Sequence, residues 1–459
     1  MSADAFSLQS LIRIETAADP AFVFDGTLFS RVEFSAKVEQ TAAWLAAQGI
    51  GKGDVVAVWL VNRVEWLALL FAAARLGAVV AAVNTRYRSA EVAHLLRVSG
   101  AKLMVVEAAF RSIDFAAILA GITKDEVPAL QRLAVVGADA IPAHWPCVRF
   151  DAFEKSYPPA QDDADLPVLL YTTSGTTKGP KLVAHSQRTL ATHAASVARA
   201  LQLDHRRHSL LAMLPFCGTF GIGFAAFQPG WRELAVEAEA RGMKLFGLYG
   251  SSEVQALFSI GRTGDAFADR IEGGGWPMSP DAQVRVRDVE TGELAPQGVS
   301  GEIEISAPSR FLGYFNNPAA THEAITADGF FRTGDIGRLR GDGSFVYETR
   351  AGDAMRLGGF LVAPGEIEDE LKSCTGVADA QVVAVDLRGQ ARCVAFVIPA
   401  GDPPRQEALT AHLRERLAGY KVPARIYVVD AFPVTDSANG VKIQRARLRA
   451  MAMERIAAE

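Results

Sequence analysis

The 459-residue sequence contains only four cysteines, and they lie far apart. No two of them form a C-x-x-C pair, so the sequence favours neither a zinc site nor a disulfide framework, and it fits a reducing compartment. An apolar signal segment is lacking too, because residues 1–18 carry charged side chains and no continuous apolar core. We therefore expect a cytoplasmic protein.

The sequence also lacks a large excess of charge of either sign and a long uninterrupted apolar run. A net charge of -5 gives no reason to expect nucleic acid or an anionic membrane as a partner. The most apolar stretch, residues 66–83, is interrupted by Arg75. This pattern favours a buried helix followed by a strand over a membrane span.

The length of the chain is too great for one compact core and predicts two or more domains. In the first part of the chain, short apolar runs alternate with segments of helical periodicity. The predicted strands are 55–60, 78–83 and 102–106, and the predicted helices are 28–47, 65–76 and 89–98. Such alternation predicts a parallel sheet with helices on both faces.

Residues 172–181 are rich in groups that bind anions. Five hydroxyl side chains, two glycines and two lysines follow an apolar run, 166–170, that is predicted to be a buried strand. Glycine lets backbone N–H groups turn towards an anion, and hydroxyl and ammonium groups add further donors. The segment is not a Walker A loop, because Pro180 precedes Lys181 and Leu182 follows it. A polyphosphate site and an ordinary Ser/Thr/Gly surface turn both fit this composition.

The same segment resembles the phosphate loop of the acyl-adenylate-forming superfamily, which includes acyl-CoA synthetases, adenylation domains and luciferases. The family pattern is close to Ser-Gly-Thr-Thr-Gly-x-Pro-Lys-Gly, and this chain departs from it at Lys178 and Leu182. The resemblance implies that the loop binds the phosphates of ATP, with Thr176 also taking part in catalysis. The implied ATP-binding residues are Thr173, Ser174, Gly175, Thr176, Thr177 and Lys181.

Residues 249–253, Tyr-Gly-Ser-Ser-Glu, resemble the family motif Tyr-Gly-x-Thr-Glu and follow a predicted strand, 245–248. The resemblance implies that Tyr249 stacks on adenine and that Gly250 lies in the ATP site. It also implies that Ser252 bonds the α-phosphate and that Glu253 holds Mg²⁺. A carboxylate suits that last role, since hard cations prefer oxygen ligands. If the motif stood alone, an exposed acidic loop would be the favoured interpretation.

Further matches follow in the order of the family: 301–303, 313–318 and 328–335. By resemblance, Asp335 bonds both ribose hydroxyls of ATP, a task for which a carboxylate is suited because it accepts two hydrogen bonds at once. Arg350 matches the family's ribose-contacting arginine.

The last part of the chain resembles the small mobile domain of the family. Gly352 stands where a hinge residue is expected, and glycine can absorb large changes in φ and ψ. Gly358 and Gly359 match the loop that lines the pantetheine tunnel of coenzyme A, with a plain hairpin turn as the alternative. Lys442 lies in a segment that resembles the terminal catalytic loop, which implies that it stabilises the pentavalent α-phosphorus.

The chain departs from the family between the phosphate loop and Glu253. Cys217 and Gly218 replace an aromatic residue and a histidine, and the interval from Lys181 to Glu253 is much shorter than the family leads us to expect. A helix is predicted at 185–201, near whose start His185 either contacts a phosphate or is structural. We predict an N-terminal adenylate-forming domain, 1–351, shortened near 221–232, and a C-terminal lid domain, 352–459.

These matches imply an α/β fold with layered parallel sheets, a small β-rich subdomain and a small mobile α+β C-terminal domain. The implied activity is ATP-dependent and Mg²⁺-dependent ligation of a small carboxylic acid to coenzyme A. The alternatives are adenylation for a carrier-protein thiol and a catalytically impaired nucleotide-binding remnant. The sequence does not name the acid, and it leaves the oligomeric state open, with a homodimer as one option.

Overall fold

The computed structural model describes a large part of the chain in two compact units, each of which we treat by itself. The first unit comprises Met1–Ile271, Gly275–Gln283 and Ile305–Phe331, and the second comprises Glu272–Gly274, Val284–Glu304 and Arg332–Glu459. The second unit thus combines the residues of the predicted lid domain with short segments that precede it, and a domain boundary at 351 stays a prediction. The described residues are 8, 20–24, 26–110, 113–137, 144–150, 163–172, 181–203, 215–218, 239, 244–357, 360–362, 364–387, 390–417, 419–437 and 440–459.

The helices of the described residues are α1 Arg31–Ala47, α2 Val64–Leu76, α3 Ser89–Ser99, α4 Phe115–Ala120, α5 Gln187–Ala200, α6 Phe267–Arg270, α7 Pro318–Ala324, α8 Pro364–Lys372, α9 Gln406–Arg416 and α10 Arg445–Ala458. The strands are β1 Pro20–Phe24, β2 Thr27–Ser30, β3 Val55–Trp59, β4 Val79–Ala82, β5 Leu103–Glu107, β6 Ala109–Phe110, β7 Ile113–Asp114, β8 Arg132–Val136, β9 Cys147–Arg149, β10 Pro167–Thr172, β11 Leu182–Ser186, β12 Leu248–Ser251, β13 Gln255–Ile260, β14 Gly274–Pro277, β15 Gln283–Arg287, β16 Gly301–Ser306, β17 Gly313–Tyr314, β18 Phe331–Leu339, β19 Phe345–Arg350, β20 Met355–Leu357, β21 Phe360–Val362, β22 Val377–Leu387, β23 Gln390–Pro399, β24 Arg425–Val428, β25 Val434–Ser437 and β26 Gly440–Ile443.

An eight-stranded sheet with the order β17-β11-β10-β4-β3-β5-β8-β9 forms the centre of the first unit. The six strands from β10 to β9 run parallel, which confirms the predicted parallel sheet. Every residue of β3, β4 and β5 is buried, as expected for parallel strands covered on both sides. At one edge, β11 pairs antiparallel with β10 and β17 pairs antiparallel with β11.

Tryptophan rings occupy the core around this sheet. The rings of Trp44 and Phe150 meet edge-to-face with centroids 5.0 Å apart, and Trp59 meets Phe115 in the same way at 4.7 Å. Such pairs add to the stabilisation that burial of the large rings already gives. The Trp59 indole N–H donates to the carbonyl of Asn84 at 3.0 Å, so burial does not leave this donor unpaired.

Two predicted helices begin later than their patterns indicated. The helix predicted at 28–47 begins at Arg31, because Ser30 and Glu33 form a capping box in which each side chain accepts the other's backbone N–H. Residues 27–30 belong instead to β2. The helix predicted at 185–201 begins at Gln187, and Ser186 is its N-cap. His185 consequently lies on strand β11, which is buried along its whole length.

The second unit includes strands that neighbour one another in the order β19-β18-β16-β15. Strands β18 and β19 pair antiparallel. Glu304 on β16 is fully buried. Its carboxylate accepts from Arg285 Nε at 2.6 Å and from Arg287 Nε at 2.9 Å. A buried charge of this kind requires such charged partners.

The rest of the second unit is a small α+β structure, as predicted. Strands β22, β23 and β24 form one sheet, and helices α8, α9 and α10 lie in the same stretch of chain. Strands β20 and β21 form a hairpin in which Leu357 pairs with Phe360. No helix in the described part of the chain is long and apolar enough to cross a membrane.

Candidate functional site

The predicted phosphate loop connects β10 to β11. Its residues 173–180, including Thr173, Ser174, Gly175, Thr176 and Thr177, lie outside the described residues. Thr172 and Leu182 pair across the base of the loop, so the loop follows the carboxyl end of a parallel strand. Ligands of open α/β sheets bind at such ends. The Tyr87 hydroxyl donates to Thr172 Oγ1 at 2.9 Å, a contact that the sequence did not indicate.

Glu253, Tyr314 and Lys181 lie together in the first unit. The Tyr314 hydroxyl donates to Glu253 Oε1 at 3.0 Å, and Lys181 Nζ lies 4.5 Å from the centroid of the Tyr314 ring. Glu253 is buried, with 8% of its surface exposed. Tyr314 therefore contacts both the predicted Mg²⁺ ligand, Glu253, and Lys181, the last lysine of the phosphate loop. The ammonium group of Lys181 lies at cation–π distance from the ring.

The position of Tyr314 follows from its local sequence. Tyr314 pairs with Val183 across β17 and β11, and its N–H donates to Thr321 Oγ1 at 2.8 Å. Gly313 precedes it with φ of 153°, and a Cβ there would lie 2.8 Å from Thr321 Cγ2. Residues 313–318 match the family pattern, but this match did not single out Tyr314. The consecutive residues Gly313 and Tyr314 were the sequence signal that could have identified it.

The motif 249–253 lies on β12 and the turn after it. The predicted strand 245–248 is wrong in its bounds, since β12 begins only at Leu248. Tyr249 is buried, with its ring edge-on to Phe258 at 6.4 Å. At Gly250 a Cβ would lie 2.6 Å from the carbonyl oxygen of Gln255, so this position requires glycine. The contacts of Tyr249 with adenine and of Ser252 with a phosphate stay predictions.

His185 does not have the exposed position that a phosphate contact would need. Its side chain is fully buried, and Nε2 donates to the carbonyl of Ser252 at 2.7 Å. Burial lowers the pKa of His185 from 6.5 to about 4, so the ring is neutral at physiological pH. The sequence left a phosphate contact and a structural role open for His185, and its burial favours the structural role.

Asp335 and Arg350 face each other in the second unit. They are paired residues of β18 and β19, and Arg350 Nε lies 3.0 Å from Asp335 Oδ1. Asp335 is buried, whereas Arg350 is largely exposed. The Asp335 N–H donates to Thr333 Oγ1 at 3.0 Å, and Thr333 in turn donates to the Ile303 carbonyl at 2.7 Å. These bonds hold the main chain at Asp335, whose carboxylate is predicted to bind ribose.

The predicted hinge and catalytic lysine also lie in the second unit. Gly352 is exposed, and its carbonyl accepts from Arg449 Nη2 on α10 at 3.2 Å. Lys442 lies on β26 opposite Thr435, and its side chain is outside the described residues, as are Gly358 and Gly359. The roles predicted for Lys442, Gly358 and Gly359 stay predictions.

Cys217, which replaces a family residue, belongs to the core of the first unit. It is buried, and burial raises the pKa of its thiol to about 11. The thiol is therefore protonated at physiological pH and is a poor nucleophile. Its neighbour Phe216 donates its N–H to Asn62 Oδ1 at 2.7 Å, which ties this segment to the start of α2.

The donors around Glu253 suit a magnesium ion that is shared with a substrate. No group of three or more histidine, cysteine, aspartate or glutamate side chains in the described residues could hold a metal ion by itself. Mg²⁺ is commonly bound through one or two carboxylates together with substrate phosphates. Glu253 supplies one carboxylate, and the hydrogen bond from the Tyr314 hydroxyl to its Oε1 orients it.

Comparison with protein families gives two matches that together span most of the chain. The AMP-binding enzyme family matches residues 14–230 and 225–315, and the AMP-binding enzyme C-terminal domain matches residues 366–439. The first match comes in two pieces that meet at 225–230. That break fits the predicted shortening near 221–232, which lies outside the described residues and stays a prediction.

Individual relatives cover nearly the whole chain. Feruloyl-CoA synthase of Amycolatopsis sp is 30% identical over 479 residues, with 91% of this chain and 93% of the relative covered. Fatty acid--[acyl-carrier-protein] ligase ScoC of Streptomyces coeruleorubidus is 28% identical, with 94% and 93% covered. Both alignments are longer than the 459 residues of this chain, so they contain positions that it lacks.

The fold is shared with solved structures. O-succinylbenzoate coenzyme A synthetase from Bacillus subtilis, solved in complex with ATP and magnesium ion, has a TM-score of 0.76 and 22% identity, with 94% of this chain and 96% of that chain covered. The family matches, the relatives and the fold agree with the order of the motifs. The chain belongs to the AMP-binding enzymes, the superfamily of adenylate-forming acyl-CoA synthetases and related acid ligases.

Proposed function

We propose that this protein activates a small carboxylic acid with ATP and transfers the acyl group to coenzyme A, with AMP and pyrophosphate as the other products. The observation that carries the proposal is the grouping of Glu253, Tyr314 and Lys181 beside the end of β10. A carboxylate, a hydroxyl and an ammonium group at the carboxyl end of a parallel strand suit a nucleotide and its metal ion.

In the first half-reaction a carboxylate oxygen of the acid attacks the α-phosphorus of ATP. The bond between the α-phosphorus and the bridging oxygen breaks, and pyrophosphate leaves. Lys181 and the hydroxyls of the phosphate loop offset the charge that develops on the leaving group, and Lys442 stabilises the pentavalent centre. Mg²⁺ held by Glu253 would neutralise phosphate charge.

In the second half-reaction the thiol of coenzyme A attacks the acyl carbon of the adenylate. The carbon–oxygen bond to AMP breaks, the thiol proton passes to solvent or a base, and AMP leaves. Asp335 and Arg350 hold the ribose through both steps. A rotation about Gly352 would withdraw Lys442 and bring Gly358 and Gly359 to the tunnel for the thiol.

A carrier-protein thiol is the second candidate acceptor. The relative ScoC is named for transfer to an acyl-carrier protein, and feruloyl-CoA synthase is named for transfer to coenzyme A. A thiol at the end of a pantetheine arm is common to both acceptors, so adenylation is the same in the two cases. The two candidates differ only in the second half-reaction.

The first experiment measures pyrophosphate release by the purified protein with ATP, Mg²⁺ and a panel of aromatic, short-chain and fatty acids. Lys442→Ala is the control. We expect release that depends on one class of acid and that falls about a hundredfold in the control, as is typical when a donor to the transition state is removed. Thioester formation is then compared with coenzyme A and with a pantetheine-bearing carrier protein.

Two results would count against the proposal. Folded protein that binds ATP without releasing pyrophosphate for any acid would favour a nucleotide-binding remnant, in agreement with a family match that is divided into two pieces overlapping at 225–230. Pyrophosphate release followed by transfer to the carrier protein alone would replace coenzyme A as the acceptor and leave adenylation intact.

A further inference from the structure

The turn that presents Glu253 has an unusual backbone. Gln255 and Leu257 have φ of 72° and 56°, although neither is glycine. Side chains rarely adopt this left-handed conformation, and it persists only where the surroundings hold it. Gly250, on the other arm of the same hairpin, has no room for a Cβ beside Gln255. The segment from Ser252 to Leu257, which consists of the turn and the first residues of β13 and which we call the Glu253 turn, must therefore be held by contacts from outside it.

Two histidines of the neighbouring β11–α5 segment hold this turn on either side of Glu253. His185 Nε2 lies 2.7 Å from the carbonyl oxygen of Ser252, and His193 Nε2 lies 2.6 Å from that of Ala256. A carbonyl oxygen only accepts, so each imidazole donates an N–H from Nε2. Both bonds are short and go to the main chain, which makes them independent of the side chains that the turn carries.

The histidines are themselves fixed in place. The Nδ1 of His185 lies 3.2 Å from Thr189 Oγ1, and Thr189 forms the N-terminal cap of α5 with Ser186. Gln255 adds a third link, because its Nε2 donates to the carbonyl of Thr189 at 2.9 Å. The β11–α5 segment is thus connected to the Glu253 turn by one donor from each histidine and by one donor from Gln255.

The same turn is bonded on its other side. The N–H of Phe311 donates to the carbonyl of Glu253 at 2.7 Å, and Phe311 packs against Tyr314 with ring centroids 5.0 Å apart. Tyr314 donates to the Glu253 carboxylate. The main chain of Glu253 is therefore bracketed by the histidines, while its side chain is oriented by Tyr314.

We propose that His185 and His193 are positioning residues for adenylation, which keep the Glu253 carboxylate in its place beside Tyr314 and Lys181. The histidines act through the backbone of the turn. His185 is fully buried, so it does not touch the substrate. The inference rests on the proposed function for the role of Glu253, but the restraint on the turn can be measured without any reaction.

The test compares pairs of variants. His185→Gln keeps an N–H donor at the reach of Nε2, whereas His185→Leu removes it, and the same pair is made at His193. Trp59→Phe is the matched control, because it removes another buried ring N–H that donates to a carbonyl of the first unit, at Asn84. A merely structural role predicts the same behaviour for the leucine variants and the control.

The first measurement is hydrogen exchange of the peptide that spans residues 250–258, on the protein without ligands. We expect the exchange rate there to rise about tenfold in the leucine variants, because the loss of one buried hydrogen bond changes an opening equilibrium by about tenfold. The rate should stay near the wild-type value in the glutamine variants and in Trp59→Phe. Unchanged exchange at 250–258 in folded leucine variants would overturn the proposal.

The second measurement is the Mg²⁺ concentration at half-maximal pyrophosphate release, at saturating acid. We expect it to rise about tenfold in the leucine variants with a smaller change in the apparent KM for the acid, and to return towards the wild-type value with glutamine. An equal change in both constants, or no rescue by glutamine, would assign the histidines to general stability.

The test still gives a result if one variant fails to fold or if the wild-type protein is inactive. If His185→Leu does not fold, His193→Leu decides the matter, because His193 is only partly buried. If the wild-type protein releases no pyrophosphate with any acid, the proposed function fails, and the exchange measurement still confirms or overturns the restraint on the turn.

Discussion

Single side chains determine the chemistry of the candidate site through pairs that are distant in sequence. Tyr314 meets Glu253 across 61 positions, and His185 meets Ser252 across 67. In the second unit, Arg350 pairs with Asp335 across the β18–β19 hairpin. Each pair joins a group with a predicted ligand role to a group that orients it, so conservative substitutions of the orienting groups are informative.

The hydroxyl of Tyr314 is expected to contribute to metal binding. Tyr314→Phe removes the bond to Glu253 and keeps the ring that packs on Phe311 and faces Lys181. A hydrogen bond to a charged group contributes about 1.5–3 kcal/mol, so kcat/KM for adenylation should fall by at least about tenfold. Steady-state pyrophosphate release at limiting Mg²⁺ measures this.

The control is Tyr427→Phe, which removes a second tyrosine-to-glutamate bond, from Tyr427 to Glu459 at 2.9 Å. Its kcat/KM is expected to equal that of the wild type. Equal losses in the two variants would show that the Tyr314 hydroxyl has no particular role at Glu253.

Asp335 is expected to recognise the ribose hydroxyls of ATP. If it does, the wild-type protein should prefer ATP over 2′-deoxy-ATP by about tenfold, and Asp335→Asn should lose most of that preference because the neutral amide makes weaker bonds. The comparison of apparent KM values for the two nucleotides measures the effect. Asp342→Asn, a carboxylate that instead accepts from Ser344, should keep the preference. A preference unchanged in Asp335→Asn would remove this residue from the ribose site.

Burial of His185 predicts a dependence of stability on pH. The pKa of His185 is about 4 in the folded protein and near 6.5 when the chain is unfolded. Between these values the unfolded chain binds the extra proton, so the free energy of unfolding falls as the pH falls and is fully retained above about pH 6.5. At pH 5 the loss is about 2 kcal/mol. Denaturant unfolding from pH 7 to pH 5 should show a steeper loss for the wild type than for His185→Gln, and parallel curves would contradict this.

Some neighbours within the candidate site could be predicted from matches to family motifs. Asp335 and Arg350 were named as ribose contacts, and the structure brings them together. His185 and Tyr314 show the limit of this reasoning. The position of His185 depends on where β11 ends, and the bond of Tyr314 to Glu253 depends on the register of β17 against β11. Neither the end of β11 nor the register of β17 can be predicted from a short local pattern.

Elements were predicted well where a buried strand is flanked by clear helix signals, as for β3, α2 and β4. They were misplaced where the first residues of a predicted helix belong to a strand. Leu28 and His185 both precede a serine N-cap, at Ser30 and Ser186 respectively, and the cap decides where the helix begins. A serine that can act as N-cap is therefore a better guide to the first residue of a helix than the beginning of the helical periodicity.

The element with the clearest consequence is the connection at Gly352. In this structure Gly352 lacks a positive φ, and a Cβ there would meet no atom within 4 Å. Gly352→Ala should thus be tolerated or raise the stability by about 0.4–1 kcal/mol through the unfolded state. If the proposed rotation takes Gly352 into a conformation open only to glycine, thioester formation should slow while pyrophosphate release stays unchanged.

Single-turnover assays of the two half-reactions measure this separation. Gly419→Ala is the matched control, because that glycine also has no atom within 4 Å of a Cβ and no positive φ. Thioester formation at the wild-type rate in Gly352→Ala would place the pivot elsewhere. The Gly352 carbonyl is bonded to Arg449 on α10, so the residues before Gly352 would be the next candidates for the pivot.

At the scale of the whole molecule, the chain divides its predicted functions between two units. Glu253, Tyr314 and Lys181 belong to the first unit, and Asp335, Arg350 and Lys442 belong to the second. The proposed reaction uses groups of both, and it assigns Lys442 to adenylation alone. The two half-reactions should therefore be separable by substitution in the second unit.

Lys442→Ala is expected to abolish one half-reaction and spare the other. With ATP and the acid, pyrophosphate release should fall about a hundredfold, whereas thioester formation from a synthetic acyl adenylate and coenzyme A should proceed at the wild-type rate. Lys372→Ala, on α8 of the same unit, is the control and should leave both rates unchanged. Equal loss of both half-reactions in Lys442→Ala would contradict a role confined to adenylation.

In the described part of the chain, the eight-stranded sheet of the first unit ends on each side in a very short strand. Strand β17 has two residues and β9 has three. A sheet edge attracts other chains in proportion to the row of unpaired main-chain groups that it offers, and short edge strands are one way in which proteins avoid intermolecular pairing. The two-residue strand that carries Tyr314 therefore also protects the sheet against aggregation.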